Sequence, residues 1–143
     1  ALDVVPVGRD LHVEARQREA QRLDAELHQR LRKYVIDWNK EEKTRPSAHL
    51  VRAYKQYLKA FDDDVEMHIW LAQIGQQLKD YELAYLQYSE AANLHKSEPK
   101  QQEVALITMI EMAVLSGRSD LVEQARTHYL AQTQLGEQRL AVE

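Results

Sequence analysis

The sequence predicts an all-α protein, on three observations. Glycine and proline are scarce, four and three in 143 residues, below their usual shares of about 7% and 5%. An all-β chain needs turn residues roughly every 8–12 positions. Six stretches repeat apolar residues at steps of three and four, the period of a helix buried on one side. The breakers Pro46, Pro99 and Gly117 fall between those stretches. Gly75, inside one of them, is the exception.

Residues 1–9, with Pro6 and Gly8, read as an irregular lead-in. From Asp10, a plausible N-cap, to Lys43 there is no breaker. Ala20, Leu23, Leu27, Leu31, Tyr34, Val35 and Trp38 draw one stripe along this long helix. Glu14/Arg18 and Glu26/Arg30 are i,i+4 pairs in the favourable orientation on its solvated side. Strict heptads fail because continuing from Leu23 and Leu27 puts Arg30 on the seam, so a core-facing helix is expected.

Pro46 disfavours helix at Arg45 and suits the opening of the next. That second helix, 47–61, presents Leu50, Ala53, Tyr54, Tyr57, Leu58 and Phe61. The triplet Asp62-Asp63-Asp64 lacks the glycine and spaced acids of a calcium loop; it is read as a helix cap, carboxylates complementing the positive end of the dipole. A third helix spans about 65–78 with Met67, Trp70, Leu71, Ile74 and Leu78, and a fourth spans about 81–95. The fifth, 100–116, is apolar on most of its circumference and is expected to be buried between neighbours. Gly117 closes it. The sixth starts near Ser119-Asp120 with Leu121, Val122, Ala125, Tyr129 and Leu130. Its surface, continued by Leu135, Leu140 and Val142, is expected to fold under a C-terminal tail or meet another chain.

Composition narrows the chemistry. With no cysteine, disulfides, thiolate metal sites and cysteine nucleophiles are excluded. The six histidines, at 12, 28, 49, 68, 95 and 128, include no i,i+3 or i,i+4 pair, so helix-borne metal ligation has no sequence support. Asp24/His28 reads as a surface contact. No glycine-rich phosphate loop, HExxH or Gly-x-Ser-x-Gly elbow occurs, and Tyr54, Tyr57, Tyr81, Tyr85 and Tyr88 read as helix packing. The expectation is a non-enzyme without cofactor or metal. Through Phe61 the chain carries 13 Lys and Arg against 9 Asp and Glu, and from Asp62 onward 6 against 14. Net acidity argues against nucleic acid, and no apolar run approaches the ~18 residues of a membrane span. The asymmetry gives partner recognition a lever. Absence of cysteine fits either redox compartment. Ala1 in place of Met is compatible with a removed signal peptide, and the reading leans to an exported or periplasmic protein.

Residues 65–98 resemble a tetratricopeptide repeat, a helix–turn–helix unit of ~34 residues. Leu71 and Ala72 match the large-then-small pair on its first helix. Ala84, Tyr88 and Ala91 match the small–aromatic–small set on its second, and Lys79-Asp80-Tyr81 the turn. Small residues let helices approach, and large ones fill the adjoining groove. Three positions depart from the pattern: His68 holds the usual aromatic place, Gly75 replaces a mid-helix aromatic, and Lys96 stands where a closing proline is common. A degenerate copy follows over 100–135, its turn at Gly117 recurring 38 residues after Lys79. Helix 47–61 looks like the second helix of a preceding unit. The resemblance implies antiparallel repeats stacked as a short right-handed α-solenoid within one domain, 10–143, preceded by the long helix 10–43.

It also implies a concave groove lined by the first helix of each unit, at Glu66, Ile69, Gln73, Gln76 and Gln77. Relatives that clamp a peptide carboxylate use a Lys and an Asn on this face; Ile69 and Gln73 stand there instead, so that clamp is not expected. The glutamines are suited to hydrogen-bonding an extended backbone or a partner helix. The expected function is a protein-interaction scaffold that binds a protein or peptide partner inside a larger assembly. An oligomerisation or capping domain, which includes self-association, is the first alternative and a regulatory sensor domain the second.

Overall fold

Six α-helices in sequence, each packed on the next from α2 onward, make up the described part of the chain. The computed structural model describes residues 7–133, with side chains from Leu11. The helices are α1 (Val7–Glu41), α2 (Ala48–Ala60), α3 (Val65–Gln77), α4 (Tyr81–Leu94), α5 (Pro99–Ser116) and α6 (Ser119–Gln132). The chain divides into two compact units, residues 1–41 and 42–143.

The first unit is a helix of 35 residues. It begins at Val7, so Asp10 lies inside the helix and is not its N-cap. The expected core-facing stripe holds only at its C-terminal end, where Val35 is 5% exposed and Trp38 is partly buried; Leu23, Leu27, Leu31 and Tyr34 are 52%, 53%, 42% and 66% exposed. A period of three and four reports that residues share a face; it does not supply what covers that face. Tyr34 and Trp38 meet edge to face with centroids 6.1 Å apart. Glu26 pairs with Arg22 rather than with Arg30, and Arg22 also reaches Glu19. Two hydrogen-bonded carboxylates hold the Arg22 guanidinium above its ordinary value.

In the second unit α2, α3 and α4 each start where a short polar side chain replaces a missing backbone partner. Ser47 Oγ accepts from Leu50 N at 3.1 Å and donates to Glu42 Oε2 at 2.9 Å. Asp64 caps α3 through Met67 N, while its other oxygen accepts from the Tyr57 hydroxyl at 2.7 Å. The acidic triplet therefore works as a cap. Asp80 caps α4 through Leu83 N at 3.2 Å. Pro99 opens α5 in its first turn, where no amide hydrogen is required. No side chain caps α6; Arg118 stands at its N-cap and binds Asp120 in its first turn, and that hydrogen bond lowers the Asp120 carboxyl below its usual value.

The α3–α4 turn is a Schellman motif: Asp80 N donates to Gly75 O at 2.8 Å and Lys79 N to Gln76 O at 3.1 Å. Its left-handed residue is Lys79, with φ of 58°, and the α5–α6 turn places Gly117 at φ of 73°. The two positions aligned in the sequence thus share a backbone conformation. Gly75 faces α4, where an added Cβ would sit 3.1 Å from both Ala84 N and Asp80 O. An aromatic side chain there is excluded by the close approach of these two helices.

The core joins α3 to α6: Ala72, Ala84, Tyr85, Tyr88, Ala91, Ala92, Leu106, Met109, Met112, Ala113, Ala125 and Tyr129 form one buried cluster. Leu71 is also fully buried, as are Leu50 and Tyr54 in α2. His68, in place of an aromatic, is buried and tied at both ring nitrogens, to Gln87 Oε1 at 2.7 Å and to the Asp62 carbonyl at 2.8 Å. The ring fills the aromatic's place and pins the α2–α3 loop to α4. One expectation fails here: α5 is not enclosed, because Val104, Ile107, Val114 and Leu115 are exposed while Leu106, Met109 and Met112 are buried. Among the described helices α5 packs on α4 and α6, which occupy one side of it. Leu121 is buried and Val122 and Leu130 partly so; Leu135, Leu140 and Val142 lie outside the described residues.

Candidate functional site

A cleft of about 410 Å³ opens between the first turns of α5, the middle of α3 and the end of α4. Ile69 and Gln73, one helical turn apart, form its α3 wall. Val104, Ala105 and Thr108, with Lys100 and Gln101 a turn earlier, form its α5 wall, and Tyr88 and His95 of α4 close the space between them. The site follows from helix alternation: α4 lies between α3 and α5, so two helices separated in sequence by a whole helix face each other across its end.

The cleft is apolar at its centre and polar along its margins. Ile69, Ala105 and Val104 give the apolar surface, and Val104 is 65% exposed. The Tyr88 hydroxyl donates to Gln76 Oε1 at 2.6 Å. Burial, with the Glu111 carboxylate adding to it, pushes this hydroxyl above its ordinary value and keeps it a donor. Thr108 Oγ1 donates to the Val104 carbonyl at 2.7 Å, so its hydroxyl hydrogen is spent within α5. Gln73 and Gln101 bring amides that both donate and accept. Lys100 adds a cation to the lining, and His95 an imidazole. His95 Nδ1 is out of solvent without a hydrogen bond; Glu98 Oε1 lies 3.5 Å away, a charge contact only when the ring is protonated.

Of the five groove positions named from the sequence, the structure brings Ile69 and Gln73 into this cleft. Gln76 stands behind it, holding Tyr88. Gln77 turns elsewhere and donates to the Lys43 carbonyl at 3.3 Å. Glu66 is exposed on the first turn of α3 and is not part of the lining. The packing positions Leu71, Ala72, Ala84, Tyr88 and Ala91 are all buried. Sequence reasoning missed the α5 wall and His95. Gln101, Thr108 and Glu111 mark the outward face of α5, but Val104, Ile107, Val114 and Leu115 interleave them with apolar residues and blur the boundary.

Two further polar groups brace the cleft's surroundings. Gln102, buried, donates to the Ala92 carbonyl and to Gln132 Oε1, both at 3.2 Å, and so ties α5 to α4 and α6. His128 of α6 contacts Asn93 Oδ1 at 3.1 Å through Nε2 and Ser89 Oγ at 3.4 Å through Nδ1. Burial is the main cause that holds its pKa below the ordinary histidine value. Arg118 bridges Glu82 at the start of α4 to Asp120 at the start of α6.

Among the described residues no group of three or more His, Asp or Glu is placed to hold a metal ion. No described helix is long and apolar enough to cross a membrane. No protein-family model, curated protein or solved structure matches the chain.

Proposed function

We propose that the second unit is a tetratricopeptide-like scaffold that holds an extended segment of a partner protein in the α3–α4–α5 cleft. The observation that carries this reading is the cleft itself: it is walled by Ile69 and Gln73 on one helix and Val104 and Thr108 on the next but one. In a stacked array the first helix of each unit faces the concave side, and α3 and α5 hold that position. The shared left-handed turn residues, Lys79 and Gly117, add support for two successive units, as does the close α3–α4 approach at Gly75. An apolar centre between glutamine amides suits a segment whose side chain enters between Ile69 and Val104 while its backbone meets the amides. Lys100 favours an acidic residue in that segment. The unit acts by holding rather than by transforming its partner.

Selection from a displayed random peptide library tests the reading. Enriched peptides should share an apolar residue with an acidic neighbour, and Val104→Lys should weaken their binding about tenfold or more while leaving the melting temperature in place. Peptides that bind this variant as well as the wild type would place recognition elsewhere.

A further inference from the structure

The stripe of α1, exposed from Ala20 to Tyr34 and ending on the partly buried Trp38, is a second surface, separate from the cleft. Ala20, Leu23, Leu27, Leu31, Tyr34 and Trp38 follow steps of three, four, four, three and four, so that Leu31, Tyr34 and Trp38 repeat Ala20, Leu23 and Leu27 after 11 residues. That repeat corresponds to 3.67 residues per turn, close to the natural helix, and keeps a seam straight or slightly right-handed where a heptad would coil left-handed. Arg30 breaks a heptad and falls beside the seam of the 11-residue pattern. The stripe is therefore regular over about 28 Å of helix, and a single helix cannot bury its own face.

Charge decides what fits it. Between residues 18 and 28 the helix carries Glu19, Asp24 and Glu26 against Arg18 and Arg22; between 30 and 40 it carries Arg30, Arg32, Lys33 and Lys40 against Asp37. The first half of the stripe is acidic and the second half basic. A second α1 laid antiparallel brings unlike halves together, and a parallel one brings like halves together. Side-chain sizes agree. Antiparallel pairing about a two-fold axis near residue 29 sets Leu27 opposite Leu31, Leu23 opposite Tyr34, and small Ala20 opposite large Trp38. Parallel pairing would stack alanine on alanine and tryptophan on tryptophan. Glu26 of each helix then lies near Arg30 of the other. One flank opposes Glu19 to Asp37, but each carboxylate already holds a cation of its own helix, Arg22 and Lys33; the Lys33 hydrogen bond keeps the Asp37 carboxyl below its usual value.

We infer that α1 is a homodimerisation helix, pairing antiparallel with α1 of a second copy through this 11-residue seam. The contact is isologous, so it closes at two chains.

The full chain contains no cysteine, which makes introduced thiols a clean probe. Sedimentation velocity over a concentration series should show a monomer–dimer equilibrium, abolished by Leu27→Asp with helicity retained. Mixed and oxidised, Leu23→Cys and Tyr34→Cys chains should form the heterodisulfide in preference to either homodisulfide. Glu26→Arg and Arg30→Glu should each raise the dimer dissociation constant several-fold, and the double variant should restore it. A chain monomeric at every concentration, an association untouched by Leu27→Asp, or homodisulfides at both positions would overturn the inference.

Discussion

At the scale of single residues, polar side chains settle how the helices begin and meet. Asp64 shows how one carboxylate serves two elements. One oxygen caps α3 at Met67 N, and the other receives the Tyr57 hydroxyl from α2. Asp64→Ala removes a cap worth about 1 kcal/mol and the hydrogen bond from the Tyr57 hydroxyl, worth about 1 kcal/mol more. Urea denaturation should report a loss of about 2 kcal/mol, and Asp64→Asn, which keeps an acceptor oxygen, should lose less. His128 gives a pH signature. Its folded-state pKa lies below the ordinary value because burial disfavours the charged ring. The unfolded chain therefore binds a proton first as pH falls. The contribution of His128 is full above the ordinary histidine value near 6.5 and is lost as pH drops through the depressed folded value. Stability measured between pH 7.5 and 5 should decline, and His128→Gln should flatten that decline; an unchanged slope would assign it to other groups.

At the scale of elements, the helices end where the backbone changes hand. Lys79 holds a left-handed conformation that costs an L-residue about 1–2 kcal/mol. Lys79→Gly relieves it, offset by about 0.4–1 kcal/mol for the greater freedom of glycine in the unfolded chain. The net expectation is a gain of about 0.5–1 kcal/mol, read as a melting temperature a few degrees higher. Gly117→Ala is the mirror experiment. Nothing lies within 4 Å of the added Cβ, so the expected loss of about 1 kcal/mol is the backbone's alone. A stabilising Gly117→Ala would contradict this account of the turn. The boundaries of α2 through α6 were legible in the sequence because caps, prolines and glycines are local signals: Ser47, Asp64, Asp80, Pro99 and Gly117 each act on their own turn. The face of α5 was not legible. Leu106 and Ile107 are both apolar and adjacent on the chain, and only the positions of α4 and α6 separate the buried residue from the exposed one.

For the whole molecule, the core cluster runs from Ala72 to Tyr129, entirely within residues 42–143. A chain of those residues should keep a cooperative thermal transition, and Met109→Ala within it should cost about 2–5 kcal/mol by leaving a cavity in the fully buried core. A gradual, non-cooperative melt of the wild-type fragment would show that this unit does not fold alone. The packing of each helix on the next in sequence is short-range by construction, which predicts rapid folding. It also explains how the site arises: alternate helices face one another, and the gap between them at Ile69, Tyr88 and Val104 is the cleft.

The all-α class, the number of helices and nearly all their boundaries were determined by the sequence alone, because helix period and capping depend on residues within one or two turns. The burial of Leu71, Ala72, Ala84, Tyr88 and Ala91 was equally legible, since small and large residues at those spacings specify a close helix pair. Tertiary structure alone decided which apolar faces are covered. Leu31 and Leu71 lie on equally regular stripes, yet one is exposed and the other is fully buried. Burial is a property of two surfaces, and a periodic stripe specifies only one of them. The cleft was divided in the same way: Ile69 and Gln73 could be read from their helix, whereas its opposite wall, Val104 and Thr108, required the neighbouring helix to be in place.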